Sequence, residues 1–208
     1  MQSIIKTKST YRTILSLSEG IYKEKGSKFI GYATPCYKED EAKLYLETWK
    51  KQNHLARHLC YAYRFGLNNE LYRANDDGEP NNSAGAPILG QIQSFELTNI
   101  LIGVVRYYGG TKLGVGGLIN AYRTAAKEAI EEGDIIVLEV FEWVKMNFTY
   151  QDMPAVMNVI KQHSLTLQNQ NFNLECELTI ALPLEQKELL KKEFVNLQSM
   201  EISILGIY

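Results

Sequence analysis

Apolar positions change their spacing several times along this 208-residue chain, and each change predicts a different element. Ile100, Leu101, Ile102, Val104 and Val105 form a run interrupted only by Gly103, rich in β-branched residues, which predicts a strand buried on both faces. From Leu118 the spacing turns helical, with Leu118, Ala121, Tyr122, Ala125 and Ala129 on one side of a 3.6-residue period. Between them stand Gly109, Gly110, Gly114, Gly116 and Gly117, so a strand, a glycine-rich loop and a helix are expected in succession. Upstream, Ala42, Tyr45, Leu46 and Trp49 repeat at i, i+3, i+4 and i+7 and predict a helix over residues 39–52. It has acids at its start and Lys50 and Lys51 at its end, as a helix dipole favours. Residues 58–65 alternate a bulky set (Leu59, Tyr61, Tyr63, Phe65) with a smaller one (His58, Cys60, Ala62, Arg64), the pattern of a strand. Short candidates at 11–17, 21–25 and 28–35, divided by Ser18-Glu19-Gly20 and Gly26-Ser27, predict an antiparallel start to a sheet. Residues 66–80 read as a polar connection, and residues 83–89 open a short helix with Pro87 near its first turn.

Past Gly133-Asp134 the rhythm starts again. Residues 142–150 read as a strand and 153–162 as a helix; 166–169 and 173–182 follow as a strand pair around Asn169-Gln170-Asn171. A helix over 184–195 and a strand over 201–207 complete the order βαββαβ, that of a ferredoxin-like sandwich. The expectation is an α+β protein of two domains, residues 1–134 and 135–208.

Composition narrows the class. With 45% hydrophobic and 22% charged residues the chain reads as an ordinary globular protein. The opening MQSIIKTKSTYR lacks the apolar core of a secretory signal, and no apolar run approaches the roughly 20 residues that cross a bilayer, so a cytoplasmic protein with no membrane partner is expected. Cys36, Cys60 and Cys176 are odd in number and widely spaced, which suggests buried apolar side chains rather than disulfides or a zinc site. Net charge is −2, with the first part slightly basic and the second acidic. No basic run marks a strong nucleic-acid binder, so contact with RNA requires a local patch.

Candidate chemistry gathers around the glycines. A strand-to-helix junction sets free amides and a positive dipole end beside Arg106 and Lys112, where an anion binds well. Lys112 is followed by Leu113, and Ile119 stands where a dinucleotide motif starting at Gly114 needs glycine, so neither ATP nor NAD is expected and no cofactor is assigned. The competing reading is that the glycines serve tight packing alone. Asp76, Asp77 and Glu79, around Gly78 and before Pro80, admit a divalent cation or a turn; turn chemistry fits better, and no metal is assigned. His54 and His58 fall on different elements, against a zinc-binding helix face. His58 and Cys60 stand about 6–7 Å apart on one strand face, too far for direct proton transfer. Ser83 lacks an esterase elbow, and His163 reads as a capping or solvated residue. No catalytic residue is assigned. What remains is a polar set, His58, Arg64, Asp76, Asp77, Glu79, Arg106 and Lys112, expected to converge at one edge of the sheet, where the basic strand end beside Gly109 and Gly110, with Tyr107 and Tyr108, suits phosphates and base stacking. The same set would serve as a protein-docking surface, and the tyrosines as core.

Three stretches resemble the IMPACT/YigZ family. They are Ala56-Arg57-His58-Leu59-Cys60-Tyr61-Ala62-Tyr63; Asp76-Asp77-Gly78-Glu79-Pro80 with Ser83-Ala84-Gly85-Ala86-Pro87-Ile88-Leu89; and residues 104–118, beginning Val104-Val105-Arg106-Tyr107-Tyr108-Gly109-Gly110. The resemblance implies a first domain like the second domain of ribosomal protein S five, an α/β fold, followed by the small ferredoxin-like domain of bacterial members. That pair is similar to the fourth and fifth domains of the translocation factor EF-G. It implies a non-enzymatic binding protein linked to translation, with the ribosome, RNA or a translation-associated protein as partner; eukaryotic relatives regulate translation by binding a partner of the eIF-two-alpha kinase pathway. The competing expectation is a metal-assisted hydrolase of a phosphorylated small molecule, using Asp76, Asp77 or Glu79 for the metal and Arg106 and Lys112 for phosphate. Leu59, Asn75, Asn82-Ser83 and Asn120 depart from the family pattern, and Asn120 removes an arginine that would contact phosphate. The oligomeric state is not readable from the sequence.

Overall fold

The computed structural model describes residues 9–68, 71–172, 175–195, 197 and 199–207; residues 1–8, the start of the segment read for a secretory signal, lie outside them. The described residues form two compact units, one spanning residues 11–138 and one running from Glu139 onward together with Ser9 and Thr10. Both are mixed α/β.

In the first unit the chain forms β1 (Thr10–Ile14), β2 (Ser18–Glu24), β3 (Ser27–Pro35), α1 (Glu39–Gln52), β4 (His58–Phe65), β5 (Leu71–Asn75), α2 (Gly85–Ser94), β6 (Ile100–Tyr107), α3 (Gly114–Glu131) and β7 (Ile135–Glu139). Five strands make an antiparallel sheet in the order β2-β3-β6-β4-β5. The β6 run is buried on both sides, as its continuous apolar pattern requires: Ile102 and Val104 pack with Ile88, Ala121 and Tyr122 of α2 and α3. Leu101 and Val105 pack with Trp49 of α1 and with Tyr32. The alternation in β4 divides the same way, Cys60 and Ala62 toward α2 and α3, Leu59, Tyr63 and Phe65 toward α1.

Four features depart from the expected pattern. First, β1 pairs with β7 in a separate two-stranded ladder, so the antiparallel start of the main sheet is β2 with β3. Second, Ser18, Glu19 and Gly20 lie inside β2 rather than between strands. Gly20 serves packing there: a Cβ on it would stand 2.3 Å from the Ala129 backbone nitrogen, and one on Gly31 2.3 Å from the Ala125 carbonyl oxygen. Third, the polar connection contains β5, an edge strand whose first four residues are exposed and therefore carry no apolar alternation. Fourth, α3 begins at Gly114, so three of the five glycines belong to its first turn.

The second unit contains β8 (Phe141–Thr149), α4 (Met153–Gln162), β9 (Thr166–Phe172), β10 (Glu175–Pro183), α5 (Lys187–Val195) and β11 (Glu201–Ile207). Its antiparallel sheet has the order β11-β8-β10-β9. Alternate residues of β8 and β10, among them Met146, Phe148, Leu178 and Ile180, enclose a core with Val156 and Ile160 of α4. β9 continues through Asn169, Gln170 and Asn171, which pair with β10 instead of turning. Asn173, expected to open the following strand, lies outside the described residues.

Candidate functional site

Antiparallel register decides which polar residues meet. His58, the first residue of β4, lies opposite Arg106 near the end of β6, and Lys28 of β3 lies opposite Tyr107. Arg106 is held on three sides. Its Nη1 donates to Glu79 Oε1 at 2.6 Å, and its guanidinium carbon stands 5.6 Å from the Phe29 ring centre and 5.5 Å from that of Tyr108. Glu79 Oε1 also accepts the Tyr122 hydroxyl at 2.8 Å. The Arg106 side chain is only 8% exposed, yet its Nε has no hydrogen-bond partner among the described residues.

Glu79 is carried by a loop whose other acids secure its own path. Asp76 Oδ1 accepts the Ala84 and Gly85 amides at 3.0 and 2.8 Å, and its Oδ2 accepts that of Asn82 at 2.9 Å. Asp77 Oδ2 accepts the Leu59 amide at 2.8 Å, while its carbonyl lies 2.7 Å from His58 Nδ1, which therefore donates. Asp77 (φ 42°), Gly78 (φ 85°) and Asn82 (φ 62°) supply the left-handed backbone of this turn. The Cys60 thiol donates to the Asp76 carbonyl at 3.0 Å, and burial pushes both it and the Tyr122 phenol up, so neither is a nucleophile here. Among the described residues no group of three or more His, Cys, Asp or Glu side chains is placed to hold a metal ion.

Opposite this loop, α3 starts without a side-chain cap, leaving the amides of its first turn to an outside acceptor. Gly110 (φ 85°) and Gly114 (φ 74°) take the backbone conformations that lead into it. Between helix start and loop lies a cavity of about 450 Å³ lined by Arg57, His58, Arg106 and Lys112 with Tyr108, and by Pro80, Leu113, Val115 and Leu118 on its apolar side.

Of the expected site residues, His58, Arg106 and Lys112 thus come together, with Glu79 in the wall and Gly110 in the approach to α3. Gly109 has a packing role: a Cβ there would fall 1.9 Å from the Gly26 carbonyl carbon, and its amide donates to Ser27 Oγ at 3.1 Å. Tyr107 faces the α1 side, its hydroxyl donating to Asn53 Oδ1 at 2.8 Å, and Tyr108 lines the cavity in its place. Arg64 lies at the far end of β4, opposite Ile100, with Nη1 at 3.3 Å from the Leu97 carbonyl. Arg57 is the residue that sequence reasoning missed. Pairing the start of β4 with the end of β6 would have placed it beside Arg106, but that pairing is not visible in local spacing.

The cavity sits at a basic end of the unit. Lys25 and Gly26 form the tip of the β2–β3 hairpin against Gly109, and α1 ends in exposed Lys50 and Lys51 before Asn53, which is bonded to Tyr107. Acids mark the other end: Glu39, Asp40 and Glu41 at the start of α1, Glu131 at the end of α3.

A mixed α/β protein with a basic recess at a bare helix start is the class these observations define. Residues 25–130, which hold the whole recess, match the family model of the Impact N-terminal domain, and the chain belongs to the IMPACT family. It is 30% identical over 181 residues to the IMPACT family member YvyE of Bacillus subtilis, covering 86% of this chain and 82% of that one. Against YigZ of Escherichia coli it is 26% identical over 185 residues, with 88% and 91% covered. A crystal structure described as that of a hypothetical protein superposes with a TM-score of 0.73 at 24% identity, covering 96% of this chain and 98% of the other, which bears on the fold alone. No helix among the described residues is long and apolar enough to cross a membrane.

Proposed function

We propose that this is a translation-linked binding protein that contacts ribosomal RNA through the basic end of its first unit and makes or breaks no bond. The observation that carries the reading is the convergence of Arg57, Arg106 and Lys112 on one recess while the nearby carboxylates are occupied as backbone acceptors or as the Arg106 counter-ion. A hydrolase would need those oxygens for a metal or a water. Phosphates suit cations and helix-start amides, and the surrounding lysines extend the charge along a strand's worth of backbone. The order of the first unit suits a domain like the second domain of ribosomal protein S five. The second unit's strand order, last-first-third-second, suits a ferredoxin-like sandwich.

Co-sedimentation with purified ribosomes across a salt series tests this, comparing the native chain with a Lys25→Ala/Lys51→Ala/Lys112→Ala variant. Arg106 is left intact because it anchors the buried Glu79. The native protein is expected to sediment at low salt and to be released steeply as salt rises, with the variant released earlier. Failure of the native protein to sediment at low salt overturns the reading, and sedimentation indifferent to salt and to the three lysines transfers it to protein docking.

A further inference from the structure

The recess is more selective than a basic surface. Arg106 lines it with a side chain that is 8% exposed and fixed by Glu79, Phe29 and Tyr108, its buried Nε without a partner among the described residues. The first turn of α3 faces the same space without a cap, and Lys112 stands at its edge. Donors from a strand, a loop and a helix start surround one small volume, with Glu79 held against Arg106 in its wall, while the side chains of Leu113, Val115, Leu118 and Pro80 are apolar.

From this geometry we infer that the recess takes a phosphate monoester, the terminal phosphate of an RNA end or of a mononucleotide, with its organic group against the apolar wall. An internal phosphodiester has two ester oxygens and needs two exits for its chain; a terminal phosphate presents three unesterified oxygens inward and leaves by one. At about 450 Å³ the cavity is within the range of small-molecule sites and larger than one phosphate requires. The inference deepens the RNA reading, and rests on it only for the source of the phosphate.

The test uses the full chain and a decaribonucleotide carrying a 3′ fluorophore and either a 5′-phosphate or a 5′-hydroxyl, read by fluorescence anisotropy, with AMP and adenosine as competitors. The phosphorylated strand is expected to bind about tenfold more tightly, as added charge-assisted hydrogen bonds imply, and AMP to compete where adenosine does not. Lys112→Ala and Val115→Glu, both at exposed positions, should reduce the two strands to equal affinity. Arg106 is left intact in this test as well, because it anchors the buried Glu79. Equal binding of both strands with no competition by AMP overturns the inference and leaves the RNA reading standing. Competition or direct binding by AMP that needs Lys112, with no affinity for the hydroxyl strand or for ribosomes, upholds the recess and removes the RNA reading.

Discussion

The two ends of the five-stranded sheet are built from the same strands and helices, yet they treat their polar groups differently. At the end where β6 begins, buried Thr13 donates to the Asn99 carbonyl at 3.1 Å. Thr98 donates to that of Gly66 at 2.7 Å, and the Gly66 amide returns to Asn99 Oδ1 at 2.9 Å. Among the described residues, the end where β6 finishes keeps a buried guanidinium nitrogen without a hydrogen-bond partner and a helix start without a side-chain cap. Polar groups that a fold could satisfy and does not are the ones available to a ligand. The contrast also separates two uses of charge: Glu79 and Arg106 hold the fold, whereas Arg57 and Lys112 extend it toward solvent.

Removing an anchoring charge should have the largest effect. Glu79→Ala leaves buried Arg106 without its counter-ion and Tyr122 without its acceptor, and should cost about 3–5 kcal/mol in urea denaturation, against no more than about 0.5 kcal/mol for Lys112→Ala. Equal losses would mean that the recess is as structural as the rest of the unit. Next, Asp76→Ala frees three amides at the head of α2 and should cost about 2 kcal/mol. Magnesium or manganese should leave the melting temperature of the native chain unchanged, since the Asp76 oxygens already have partners; a metal-dependent rise lost in the variant would restore the cation reading of this loop. Glycines sharpen the comparison further. Gly116→Ala should stabilise the protein by roughly 0.5–1 kcal/mol, whereas Gly31→Ala, aimed at the Ala125 carbonyl, should destabilise it in the same denaturation assay.

An effect of pH is expected at the satisfied end, where the Cys36 amide donates to the Asn99 carbonyl. Burial pushes the Cys36 thiol from 9.0 up to about 12. The unfolded chain therefore loses this proton first as pH rises, so the thiol's contribution is intact below about pH 9 and declines from there toward 12. The urea midpoint should be lower at pH 10 than at pH 8, and iodoacetamide at pH 8 should alkylate Cys36 only after unfolding.

Much of this was legible in the sequence where one physical rule dominates. Helix α1, strand β4, helix α4 and strand β11 end where periodicity and charge order place them, because each has one strong apolar stripe or alternation. β5 and β7 were missed for different reasons: Leu71-Tyr72-Arg73-Ala74-Asn75 carries no apolar alternation, and the short apolar run Ile135-Ile136-Val137-Leu138 falls where one unit gives way to the next. The choice between Tyr107 and Tyr108 was hidden for another reason: neighbours on a strand face opposite sides, and which side holds the recess depends on where α3 packs. Arg64 looked equivalent to Arg106 by composition, but six residues of extended chain separate it from His58, about 20 Å at strand rise. The acidic cluster was readable as a turn; that Glu79 would turn inward to meet Arg106 was not, since nothing local distinguishes it from Asp77.

Gly20 and Gly31 let the second half of α3, from Ala125 to Ala129, lie on β2 and β3 almost backbone to backbone. Backbone seating over that half resists rocking of the whole helix, and with it the swing of its first turn. Under the proposed function, recognition at this recess becomes a matter of encounter and residence: the field of the basic end governs how often a partner arrives. How many of its oxygens find waiting donors governs how long it stays.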